Sequence, residues 1–178
     1  MPLFERVGLK LGHVIFRLTG FLPTKVSQEE TVARAIFSPF HIDKKRHLKV
    51  EAFDPTPGTD EISTMRVCFM GPHRCKSQAR KAEDPKHNKA YRGFAVLSVE
   101  GVAKVSLGVF DSRKGNFRGH ADIKTGAAMP ARGEPRDSAQ LVRYRAISKA
   151  LKSQAKYCED PFPLKRLWSG EKLALHQA

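Results

Sequence analysis

Acidic residues are scarce in this 178-residue sequence: 18 Asp and Glu stand against 32 Lys and Arg, a formal net charge of +14. Self-repulsion of that size costs the compact state stability, so an anionic partner is expected. The commonest such partner is a polyphosphate backbone, whose condensed counterions are released when cations neutralise it. Cysteine is sparse too. Cys68, Cys75 and Cys158 are an odd number without framework spacing, which argues against a disulfide-stapled secreted domain. No run approaches the roughly 18 apolar residues that a membrane span needs. The N-terminal apolar stretch is cut by Lys10 and Arg17 and makes a poor secretion signal. A cytoplasmic protein with no membrane contact is expected. Gly-rich phosphate loops, a GxSxG elbow and an HExxH pair are all missing, and with them the familiar sequence signatures of several enzyme classes. No cofactor is expected.

What is present is enough for a core: 40% of the residues are hydrophobic, too many for a disordered basic tail, and the length fits one domain. The basic residues recur at 44–49, 74–92, 113–136 and 143–156, so the charge belongs to the folded body. Neither an internal repeat nor a linker divides the chain.

Residues 3–22 are apolar-rich, and their period does not separate strand from helix. Ser27 and Glu30 have the spacing of a capping box ahead of Val32, Ala35 and Ile36, which predicts a short helix over 28–38. Strands are expected over 48–53 and 61–69, joined by a stretch dense in Pro, Gly and Asp. Gly71-Pro72 opens a further helix. Runs at 94–99 and 103–110 flank Glu100-Gly101 and read as a hairpin, and 120–124 reads as a short strand. A helix over 136–158, opened by Pro135, places Leu141, Tyr144, Ile147, Leu151, Ala155 and Cys158 on one face. The expected fold is a single α+β domain over 1–178. It would have a small, mainly antiparallel sheet packed with two to three helices, including a long basic C-terminal one.

On that last helix Arg145, Lys149, Lys152 and Lys156 fall within an arc of about 60° beside the apolar face. A phosphate backbone can follow such a stripe, although a solvated face with cations near a helix C-terminus looks the same. Arg74, Lys76, Arg80 and Lys81 form a second basic group, and Arg113, Lys114, Phe117 and Arg118 a third, in a Gly-flanked loop. An aromatic beside a guanidinium holds unpaired bases in many single-strand sites. Phe117 serves equally well as a core anchor.

Two His-x-Asp tripeptides, His41-Ile-Asp43 and His120-Ala-Asp122, are each followed closely by a lysine. On a strand, residues i and i+2 share a side. Two such imidazoles converging on a phosphate can act as base and acid, with Lys49 and Arg66 stabilising the transition state. An Asp that merely orients a structural His gives the same tripeptide. Cys68, His73 and Cys75 are close together but lack zinc-site spacing. Glu51, Asp54, Asp60 and Glu61 can hold Mg²⁺, or simply close a turn. No metal site is expected.

The segments Arg34-Ala-Ile-Phe-Ser-Pro-Phe-His41, Lys49-Val-Glu-Ala-Phe53-Asp-Pro and Asp60-Glu-Ile-Ser-Thr-Met-Arg66 carry a resemblance. They resemble a group of small uncharacterised bacterial proteins from mobile-element and defence neighbourhoods. The resemblance covers about a third of the chain, reaching His120-Ala-Asp122-Ile. It brings no established activity, and it nominates Arg34, His41, Lys49, Phe53, Ser63, Arg66 and His120 as one site.

The expectation is therefore a nucleic-acid-binding protein, for RNA or single strands, acting as a subunit of a larger, defence-related nucleoprotein assembly with protein partners. A small His-dependent or metal-dependent nuclease is the rival. A basic module docking on an acidic protein partner is the third reading.

Overall fold

The computed structural model describes residues 14, 23–113, 117–135 and 137–173. Most of the expected apolar element at 3–22, and Lys114 in the basic loop, lie outside the described residues. Strand β1 (Thr31–Ser38) occupies the stretch for which the sequence predicts a helix. Only half of the capping box forms: the Ser27 N–H donates to Glu30 Oε1 at 2.9 Å, but the Glu30 N–H donates to the Ser27 carbonyl at 3.0 Å and the Ser27 hydroxyl accepts from the Glu29 N–H at 3.4 Å. These bonds close a turn instead of starting a helix. Val32 and Ile36 belong to one core cluster and Ala33 and Phe37 to another, the period-2 alternation of a strand buried on both faces. Tertiary burial overrides the local signal.

Strand β2 (Glu61–Arg66) is followed directly by helix α1 (Val67–Arg80). Gly71, at φ 69°, kinks α1, so its longer part begins at Pro72. The strand expected over 48–53 is a 3₁₀ turn, Val50–Phe53, with Ala52 and Phe53 buried. Strand β3 (Ala90–Ser98) runs into helix α2 (Val99–Lys104), where Ser98 Oγ accepts from the Gly101 N–H at 2.9 Å. That cap turns the expected hairpin into a crossover. Strand β4 (Gly108–Asp111) joins the far edge of the sheet, beside β5 (His120–Lys124). Helix α3 (Ser138–Gln154) is capped by Asp137 rather than opened at Pro135. It stops at Ala155, and Cys158 lies in strand β6 (Lys156–Glu159).

The result is an α+β fold with one six-stranded sheet in the order β4-β5-β2-β1-β3-β6, antiparallel throughout. On one face Val32, Ile36, Ile62, Leu97 and Ile123 pack with Phe53, Val102 and Leu151, under α2, α3 and the 3₁₀ turn. On the other, Ala33, Phe37, Met65, Phe94 and Val96 pack with Cys75 and Ala79 of α1 and with Trp168 and Leu173. No helix among the described residues is long and apolar enough to cross a membrane.

One irregularity positions everything that follows. β1 pairs with β3 along its whole length, but with β2 only at Val32–Arg66 and Ala33–Met65. Beyond those two pairs the strands part.

Candidate functional site

Strands that part leave ladder groups needing partners, because a buried backbone N–H or C=O without one is costly. Two side chains supply them. On β1 the Phe37 N–H donates to His41 Nδ1 at 3.3 Å, reached by a tight turn in which the His41 N–H donates to the Phe37 carbonyl at 2.8 Å. On β2 the Ser63 carbonyl accepts from Arg34 Nη1 at 2.9 Å, while Arg34 Nε donates to the Ala52 carbonyl at 3.2 Å. Arg34 and His41 stand where rungs between the strands would be. The gap opens into a cavity of about 310 Å³ between the parted strands and α1.

Its walls combine cations, hydroxyls and apolar surface: Arg34 and Lys89, then Ser63, Thr64 and Thr56, then Phe37, Met65 and Phe117. No carboxylate is among the described residues that line it. Burial pushes the Arg34 guanidinium down to about 10, against the attraction of Asp122 and Asp54, so it stays charged at neutral pH. Lys89 sits 4.5 Å from the centre of the Phe37 ring, and burial and then Arg34 lower its ammonium. His41 is pushed down to about 3, first by burial and then by Arg34, with Lys89 and Lys49 adding smaller effects. Its imidazole is therefore neutral at physiological pH and is not an acid there.

The third wall carries a polar chain. Ser63 faces Asp122 across the β2–β5 ladder, and Met65 faces His120, so all four share one side of the sheet. Ser63 Oγ lies 2.5 Å from His120 Nε2. On the far side of the ring, Nδ1 lies 3.0 Å from the Ser112 carbonyl oxygen and 2.8 Å from Ser112 Oγ. A carbonyl only accepts, so it places a proton on Nδ1, and in the neutral ring Nε2 then accepts from the Ser63 hydroxyl. Asp122 Oδ1 is 3.7 Å from the same Nε2. His120 and Asp122 are buried, and Phe117 meets the imidazole edge-on at 5.1 Å.

Of the residues expected at one site, the structure gathers Arg34, His41, Ser63 and His120, with Lys49 nearby, its Nζ donating to the Pro39 carbonyl at 3.3 Å. Asp122 accompanies His120 on β5, whereas Asp43 accepts from the His47 N–H in an exposed turn. Phe53 belongs to the core on the opposite face. Arg66 is elsewhere: fully buried, it meets Glu30 at 2.6 and 2.7 Å and lies 3.6 Å from Asp111. Lys76, expected on a binding surface, is instead buried against Asp160 at 2.7 Å.

The other cations divide. Arg80 pairs with Glu83, Arg113 with Asp111, and Arg145 with both Glu51 and Asp54. Lys156 lies beyond α3 and pairs with Glu171. Lys149 and Lys152 on α3, with Arg74 on α1 and Lys81 just past its end, have no carboxylate partner among the described residues, and Arg118 lies in an exposed turn. Sequence reasoning places Lys89 only within the basic stretch 74–92 and misses Ser112, since no local pattern marks either as a site residue. Among the described residues no group of three His, Cys, Asp or Glu is placed to hold a metal ion. Burial pushes the Cys75 thiol up to about 12 and raises that of Cys68, which makes both poor nucleophiles.

No family model, no curated protein and no solved structure matches this chain.

Proposed function

We propose that this protein binds nucleic acid, as RNA or a single strand, with an unpaired nucleotide entering the cavity between β1, β2 and α1. The observation that carries this reading is the make-up of that cavity: Arg34 and Lys89 together with Phe37 and Phe117 among its walls, and no lining carboxylate among the described residues. Cations suit phosphate oxygens, and aromatic walls suit a base that has left its stack. A duplex keeps its bases paired and offers nothing to fill such a space. The volume, about 310 Å³, is at the lower end of small-ligand sites, on the order of 300–1,000 Å³. The high net charge supplies attraction independent of sequence. The resemblance to proteins of defence neighbourhoods fits a subunit holding a guide or transcript within a larger nucleoprotein.

The test is an anisotropy titration of labelled single-stranded RNA, single-stranded DNA and duplex against the wild-type protein and a Lys49→Glu/Lys89→Glu variant. The variant should bind single strands more weakly. Its salt slope should flatten by about 0.7 for each phosphate that it no longer neutralises. Unchanged affinity in a folded variant would overturn the reading. So would a protein that binds no nucleic acid yet retains an acidic protein partner after nuclease treatment.

A further inference from the structure

The geometry of the cavity points to a reaction as well as to binding. We propose that Ser63 is a nucleophile toward phosphate esters, with His120 as its general base and Arg34 and Lys89 holding the phosphoryl oxygens. The inference uses the cavity of the preceding section but does not require nucleic acid as the substrate.

Four observations combine. Ser63 lines the cavity, whereas His120 does not, so the hydroxyl stands between the imidazole and any occupant. In the neutral ring the hydrogen bond runs in the direction that base catalysis needs: the Ser112 carbonyl, 3.0 Å from Nδ1, holds the proton there, and Nε2, 2.5 Å from Ser63 Oγ, accepts. A nucleophile, its base and a third group that orients the base are the recurring parts of activated-serine chemistry. The Asp122 carboxylate, 3.7 Å from Nε2, favours the imidazolium that forms when the proton moves. Finally, Arg34 and Lys89 line the same cavity as Ser63, with no carboxylate among the described lining residues; Arg34, attracted by Asp122 and Asp54, gives Nε and Nη1 to carbonyl groups.

The step balances without a further reagent except water. Ser63 Oγ attacks phosphorus as its proton passes to His120 Nε2. The bond from phosphorus to the leaving alcohol, in line with and opposite Ser63, then breaks, and the alkoxide takes a proton from solvent. Water attacks from that same open side and gives its proton to solvent, while Ser63 Oγ leaves with the proton held on His120 and is restored as the hydroxyl. His41, neutral in its place beside β1, is a hydrogen-bonding wall of the site and not its acid.

Two small probes test the proposal. A fluorophosphonate should form one adduct, on Ser63, with the P–F bond broken and fluoride released; mass spectrometry of the peptide locates it. The rate should rise with pH as the imidazole loses its proton. Adduct formation should vanish in Ser63→Ala and fall about 10²–10⁴-fold in His120→Gln. Bis(p-nitrophenyl) phosphate should be hydrolysed and p-nitrophenyl acetate should not. Absence of the Ser63 adduct, or an adduct rate independent of pH, would overturn the assignment, and the pH dependence decides even where His120→Gln fails to fold. Hydrolysis of the acetate without the diester would overturn the phosphate-ester class. RNA binding by the wild-type protein is read separately, so failure of the chemistry leaves the binding reading intact, and the reverse.

Discussion

Lys76 and Asp160 form an ion pair inside the molecule, with Nζ 2.7 Å from Oδ2 and neither side chain exposed to solvent. The ammonium also donates to the Phe162 and Leu167 carbonyls, each at 2.9 Å. A single lysine thereby ties α1 to the segment that follows β6.

Removing one partner of such a pair strands the other charge in a low dielectric. Lys76→Met should cost about 3–5 kcal/mol in urea unfolding, whereas Lys76→Met combined with Asp160→Leu should cost much less, because no charge is left behind. Equal losses in the single and double variants would show that the carbonyl contacts of Lys76, and not its charge, are what matter.

Acid should destabilise the fold through His41. An unfolded chain takes up this proton near the ordinary histidine value of 6.5, while the folded imidazole stays neutral until about 3. Between those values the unfolded state binds more protons, so stability is complete above the window and is lost as pH falls through it. The slope from this one group is about 1.4 kcal/mol per pH unit. Urea midpoints between pH 7 and 4 should drop less steeply in His41→Gln than in wild type.

Phe117 packs edge-on against His120 and also lines the cavity. If it stacks on an entering base, Phe117→Ala should weaken single-strand binding by about 1–3 kcal/mol and leave duplex binding nearly unchanged. Equal losses on both ligands, with a lower Tm, would mark it as an anchor for the loop alone.

Helix α3 should matter less than its sequence implies. Arg145 is held by Glu51 and Asp54 at 3.3 Å, and Lys156 is not on the helix. Lys149→Glu/Lys152→Glu should therefore change single-strand affinity less than Lys49→Glu/Lys89→Glu does. The reverse ranking in the same titration would place the ligand across α3.

What the sequence reveals follows the range of the interactions concerned. The strand at 120–124, the helix from Pro72 and most of α3 rest on local signals, namely alternation, proline at a first turn and a 3.6-residue period. The stretch 28–38 misleads because one bond of its capping box does form, yet a strand follows, since both its faces are covered by residues far along the chain. Arg66 reads as a catalytic cation and Lys76 as a binding-surface one because their partners, Glu30 and Asp160, are distant in sequence. The site is legible in part: His120 and Asp122 are adjacent in a strand pattern, and the resemblance names Arg34, His41 and Ser63. Ser112, which sets the His120 tautomer, lies across a ladder that no local pattern defines.

The short ladder between β1 and β2 has a mechanical meaning. With two residue pairs joining them, β4-β5-β2 and β1-β3-β6 are two leaves bound along one end of a common spine. The Arg34–Ser63 bond is a single stitch further along. An occupant spanning that opening fastens one leaf to the other, so its binding energy adds directly to the cohesion of the sheet.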